Sequence, residues 1–147
     1  MSTESLFQHP FGTKITTDEI LDSLSFFDDW EDRYRYIIDL GKQLPEFPDA
    51  LKTEELLVRG CQSQVWLLTR MHEGKLELAV DSDALVVRGL AAIVLVALHG
   101  RTPAELLAFD IEGYFDQLDL LKHLSPTRGN GVRSMVKKIR AIAEMSQ

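Results

Sequence analysis

Apolar positions recur at helical spacing through the first third of the chain. Thr16 followed by Glu19 matches a capping box, and Ile20, Leu21, Leu24 and Phe27 continue it as one face. Asp29 can cap a second helix carrying Trp30, Tyr34, Ile37 and Ile38, with Gly41 and Leu44-Pro45 as its stop. The period then shortens. Leu56-Leu57-Val58 is a short β-like run ending at Arg59-Gly60. Val65 to Met71 alternates, as do Leu76, Leu78 and Val80 after the Glu73-Gly74 turn. This predicts a three-stranded antiparallel meander, which needs helices against one face.

Those helices follow. Asp81-Ser82-Asp83 is placed to cap a long apolar helix from about Ala84 to His99, stopped by Gly100. Thr102-Pro103-Ala104-Glu105 joins an N-cap, a first-position proline and a third-position glutamate. Asp110 can cap a short segment holding Tyr114, Phe115 and Leu118. Ser125-Pro126 opens the last region, where Val132, Met135, Val136, Ile139 and Ala143 form a stripe, and Gly129-Asn130-Gly131 is a weak turn signal. Residues 1–15, with His9-Pro10-Phe11-Gly12, read as an irregular arm, and residues 16–147 as a single domain. The fold class is α+β: a small three-stranded antiparallel meander packed against several helices.

Composition narrows the function. The chain has 147 residues, enough for one domain with a full core. A net charge of −7 argues against nucleic acid and anionic membrane surfaces, whose phosphates attract basic proteins. A protein with a complementary basic or apolar patch is the expected partner. The apolar run Gly89 to Leu98 is short of the ~20 residues of a membrane span. The N-terminus has no secretory pattern, and a single cysteine agrees with a cytoplasmic location.

That cysteine, Cys61, is the chemical centre of the sequence. A lone thiol closes no intramolecular disulfide and builds no thiolate zinc site. It is either a buried packing residue or a nucleophile. Gly60 before it and Gln62, Ser63 and Gln64 after it describe a turn between apolar segments, which would present the thiol and not pack it. His9, His72, His99 and His123 are scattered, without metal-binding spacing. A Cys-His enzyme acting on a small molecule stays open, because such partners meet in space and not in sequence. So does an interaction module with an incidental cysteine. Asp81 and Asp83 suit capping better than a cation. Arg59, Arg88 and Arg128 are surface or salt-bridged residues, or else cations that raise the thiolate fraction.

The segment Gly60-Cys61-Gln62-Ser63-Gln64-Val65-Trp66 resembles the active-cysteine signature of the SufE/CsdE family, sulfur acceptors of cysteine desulfurases. Three further stretches agree in order: Trp30 to Pro45, Asp81-Ser82-Asp83 to Val87-Arg88-Gly89-Leu90, and Phe115 through His123-Leu124-Ser125-Pro126-Thr127-Arg128 to Asn130-Gly131. The match runs over roughly residues 16 to 145. Asp119 departs from it, standing where a small residue, often glycine, is expected. The arm leans slightly toward the CsdE branch.

The resemblance implies a fold shared with IscU-like iron–sulfur scaffold proteins. It implies that Cys61 takes sulfane sulfur from a desulfurase of the SufS/CsdA type, stimulates it, and passes the sulfur to a downstream acceptor protein. The destination would be cluster assembly or another sulfur-transfer pathway. No cofactor is implied on this chain, since pyridoxal phosphate resides on the desulfurase. Arg59, Gln62, Asp83, Arg88 and Arg128 are its candidate thiol-environment or partner-interface residues.

Overall fold

A computed structural model describes residues 3–147 of the chain. The architecture is α+β. Helices α1 (Thr17–Phe26) and α2 (Trp30–Gly41) precede a hairpin of β1 (Val65–His72) and β2 (Lys75–Ser82). Then come α3 (Leu85–Leu98), α4 (Pro103–Ala108), α5 (Ile111–Leu118) and α6 (Pro126–Met145). Most caps are those the sequence predicts. Thr16, Asp29, Thr102, Asp110 and Ser125 each accept a hydrogen bond from a backbone N–H in the first turn that follows.

The core is built around α3. Every residue from Gly89 to Leu98 is buried, so the helix is apolar all round, as an interior helix must be. Helix α2 lies against it at a pair of glycines. A Cβ on Gly89 would come within 2.2 Å of the Ile37 carbonyl oxygen, and one on Gly41 within 2.6 Å of the Gly89 nitrogen. No side-chain movement relieves a clash with backbone. Gly89→Ala is therefore expected to lower unfolding free energy by about 3 kcal/mol, despite alanine's better helix propensity. A urea melt of the two chains measures it.

The sheet has two strands, not the expected three. β1 and β2 pair antiparallel from Val65↔Ser82 to His72↔Lys75 across a turn in which Glu73 and Gly74 both take positive φ. The Leu56–Val58 run does join the edge of β1. It makes one bridge, Leu57↔Trp66, with Val58 N–H donating to Val65 O and Leu67 N–H to Leu56 O. Turn residues precede it, and Gly60 at φ +89 swings the chain away behind it, so the ladder ends there.

Two further expectations are corrected. The Asp81-Ser82-Asp83 segment supplies little of the expected capping: Ser82 Oγ accepts from Ala84 N–H at the entrance to α3, but no side chain at the N-cap position bonds the first turn. Asp81 is buried and accepts from Phe47 and Ser82 N–H, Ser82 Oγ donates to Gln64 O, and Asp83 accepts from Gln64 N–H. These residues knit β2 to distant loops. The Gly129-Asn130-Gly131 turn signal is also overridden, since all three residues are helical within α6. The Ser125 cap and Pro126 start that helix, and its apolar stripe packs on the core.

In the arm, Glu4–Phe7 form a 3-10 turn. Leu6 and Phe7 join Phe47, Trp66 and Ala79 in a small second cluster on the hairpin, while Phe11 enters the main core. His9 and His99 meet there, ring centroids 4.2 Å apart, both against the backbone of Leu78. His9 Nε2–H donates to Leu78 O, and His99 Nδ1 accepts from Leu78 N–H.

Burial first, then the neighbouring His9, pushes the His99 pKa down to about 4, with Glu77 opposing and Arg70 reinforcing the drop. Burial lowers His9 as well. An unfolded histidine titrates near 6.5. Between those values the unfolded chain binds more protons, so this stability is complete above about pH 6.5 and is lost as pH falls toward 4. Up to about 3 kcal/mol is at stake at His99. Urea midpoints at pH 7 and pH 5 should differ in wild type, and less so in His99→Gln.

Candidate functional site

Cys61 stands on the loop between the Leu56–Val58 run and β1, with its base tied on both sides. Val58 N–H bonds to Val65 O, while Gln64 is held at its N–H by Asp83 and at its carbonyl by Ser82. The tip leans on α6. Gly60 lies so close there that a Cβ would come within 2.5 Å of Ser134 Oγ. Cys61 Sγ–H donates to the carbonyl of Gly131 at 3.6 Å.

The thiol is half-buried, not presented at the tip as the turn context suggests. It forms part of the wall of a cavity of about 350 Å³. Val87, Leu90, Val132 and Met135 give that cavity an apolar side; Gln62, Ser125, Thr127 and Arg128 give it polar groups. Burial pushes the Cys61 pKa up. Desolvation is the cause, and it leaves the resting thiol protonated at neutral pH.

Of the sequence-predicted residues, the fold brings Cys61, Gln62 and Arg128 to one cavity. The other three lie outside its lining. Arg59 is exposed on the loop, where its charge lowers the pKa of Lys138, second to burial. Arg88 donates to Leu44 O at 2.8 Å and faces the buried Asp81 carboxylate at 3.4 Å, tying α3 to the segment that follows α2 and to β2. Asp83 holds the loop base.

The histidines stand elsewhere too. His9 and His99 are paired under the arm, His72 lies beside Glu73, and His123 stacks on Trp30 at 4.0 Å. No described cluster of His, Cys, Asp and Glu could hold a metal ion.

Sequence reasoning placed Gly131 in a turn and in the family-like C-terminal stretch but gave it no role beside the thiol. Its signal was its offset within the Val132–Met135 stripe, one position before a core residue. Asp119, the departure from the family pattern, is explained by geometry. It caps the C-terminus of α5 at φ 55, ψ 33, the left-handed conformation that glycine takes most easily and aspartate tolerates. Its carboxylate pairs with Lys122 and His123, so the bend is kept.

Fold and site together define an α+β protein with one sheltered thiol between the loop that leads into β1 and two helices. Residues 18–143 match the family model described as SufE, Fe-S metabolism associated domain. An uncharacterised SufE-like protein of Rhizobium meliloti is 46% identical over 131 residues, covering 86% of this chain and 94% of the relative. One from Rhizobium etli is 48% identical over 132 residues, covering 87% and 89%. The solution structure of a hypothetical protein from Thermus thermophilus superposes with a TM-score of 0.72 at 19% identity, covering 90% of this chain and 96% of that one, which is a likeness of fold.

The chain belongs to the SufE family. Membership supports a sulfur-transfer accessory role in iron–sulfur metabolism. The lean toward CsdE finds no support in these relatives, whose names say SufE-like. Among the described residues no helix is long and apolar enough to cross a membrane.

Proposed function

We propose that Cys61 accepts sulfane sulfur from the cysteine persulfide of a desulfurase, of the SufS/CsdA type, and hands it to a downstream acceptor protein. What supports this reading is the chain's single thiol on the wall of a cavity with room for far more than one further atom. The Cys61 thiolate attacks the outer sulfur of the partner's persulfide. A new S–S bond forms at Cys61 while the partner's S–S bond breaks. The electron pair leaves on the partner's thiolate, which takes up the proton Cys61 gave up. One persulfide is consumed and one is made, so no oxidant is needed. Clearing the persulfide frees the desulfurase for another turnover, which is the stimulation. Handing the sulfur on repeats the step with Cys61 as donor, and this chain needs no cofactor.

The test is intact mass after incubation with a desulfurase and cysteine. Gain of one sulfur atom on Cys61 is expected, and an unchanged mass would refute the reading. No imidazole lines the cavity, which leaves a Cys-His mechanism without its base.

Arg128, at the same cavity, is the cation available to a persulfide anion or to a partner's acidic group. Arg128→Ala is expected to raise the Cys61 pKa or weaken desulfurase binding by several-fold. A thiol pH titration and a binding isotherm check both; no change in either would make the arginine a bystander.

A further inference from the structure

We infer that Gly131 is a positioning residue for this transfer: by lacking a side chain it reserves the space beside Cys61 Sγ that the second sulfur occupies. The inference rests on reading Cys61 as a sulfur acceptor. Gly131 sits in the second turn of a 20-residue helix, where glycine costs helix stability relative to alanine. Its backbone does not ask for glycine, since it is not among the residues with positive φ. Packing of the unloaded protein does not ask for it either. A Cβ built there meets only Cys61, with Sγ at 3.4 Å and the cysteine Cβ at 3.9 Å, which is ordinary contact. The missing methyl therefore matters once another atom is joined to Sγ.

The surroundings suit that atom. The cavity of about 350 Å³ exceeds the ~30 Å³ share of one water several times over, and Val87, Leu90, Val132 and Met135 give it an apolar wall. Once sulfur is bound, Sγ carries no proton and gives up its bond to the Gly131 carbonyl. The neighbouring Gly129 supplies a matched control. It lies in the same helix, and a Cβ there meets nothing within 4 Å.

The experiment compares wild type, Gly131→Ala and Gly129→Ala, each loaded on its single cysteine with inorganic polysulfide. The thiolate takes one sulfur from the polysulfide chain, which leaves one atom shorter. Dithiothreitol then releases the bound sulfur as sulfide while being oxidised to its cyclic disulfide, and intact mass follows the loss. Gly131→Ala is expected to lose its sulfur several-fold faster than wild type, with Gly129→Ala unchanged, while both alanine chains melt above wild type. Equal sulfur lifetimes in the two alanine chains would overturn the inference. So would a Gly131→Ala chain that melts below wild type, since the unloaded fold would then require the glycine. Polysulfide loading involves no desulfurase, so failure of wild type to take sulfur from a desulfurase counts against the proposed function and not against this shelter.

Discussion

Cys61→Ser is expected to abolish sulfur loading while leaving the fold in place. The chain has one thiol, so no second sulfur nucleophile can substitute for it. A hydroxyl stays protonated at physiological pH and forms no stable persulfide analogue, so loss of loading should be complete and not partial. The structural cost should be small. Serine is close in shape, the site is half-buried, and its hydroxyl can donate to the Gly131 carbonyl as the thiol does. Unfolding free energy should change by about 1 kcal/mol or less. Intact mass after incubation with desulfurase and cysteine reads the first effect, and a urea melt the second. Sulfur loading of a folded Cys61→Ser chain would refute the assignment. A variant that failed to fold would instead make the cysteine a packing residue.

Cys61 could be found in the sequence because its chemistry is local: one thiol, flanked by a glycine and three polar residues. The same holds for the caps. Thr16, Asp29, Thr102, Asp110 and Ser125 act on backbone N–H groups within the next few residues, so their roles can be read from spacing.

Asp81, Ser82 and Asp83 have the same composition as a cap, yet beyond one local bond from Ala84 N–H to Ser82 their partners are Phe47, Gln64 and Arg88. Only the folded chain brings those groups together. Arg88 likewise read as a candidate beside the thiol, because its use depends on Leu44 and Asp81. The third strand was half legible. The β-like run exists and pairs with β1, but pattern alone did not reveal that Gly60 ends the pairing after a single bridge. The cavity was the least legible feature, since its walls come from one loop and two helices far apart in sequence. Their registers are set by core packing.

The thiol of the free protein is expected to alkylate several-fold more slowly than that of the unfolded chain, and to accelerate in the early encounter with a desulfurase. Two features slow it at rest. Burial pushes the Cys61 pKa up, which leaves less thiolate at a given pH, and the Sγ–H bond to Gly131 holds the group against α6. The transfer proposed above nevertheless requires the sulfur to enter another protein's active site. It therefore asks the loop for two positions, with a pinned base and a movable tip. Its base is pinned at Gln64 by Ser82 and Asp83, while its tip rests on α6 through Gly60, at φ +89, and the thiol. A partner that contacts only the outward form shifts the population toward it by its difference in affinity for the two.

Gly60→Ala provides the intramolecular version of the same shift. A Cβ there would crowd Ser134 Oγ and burden a positive φ, two reasons for the tip to leave α6. This variant should label faster than wild type with no partner present. The reagent is iodoacetamide, and the partner a desulfurase whose reactive cysteine is replaced by serine. Free wild-type protein that labels as fast as the unfolded chain would mean the thiol is exposed throughout. Labelling that the desulfurase and Gly60→Ala both leave slow would mean that the loop does not open, and the transfer step would then need another route to the sulfur.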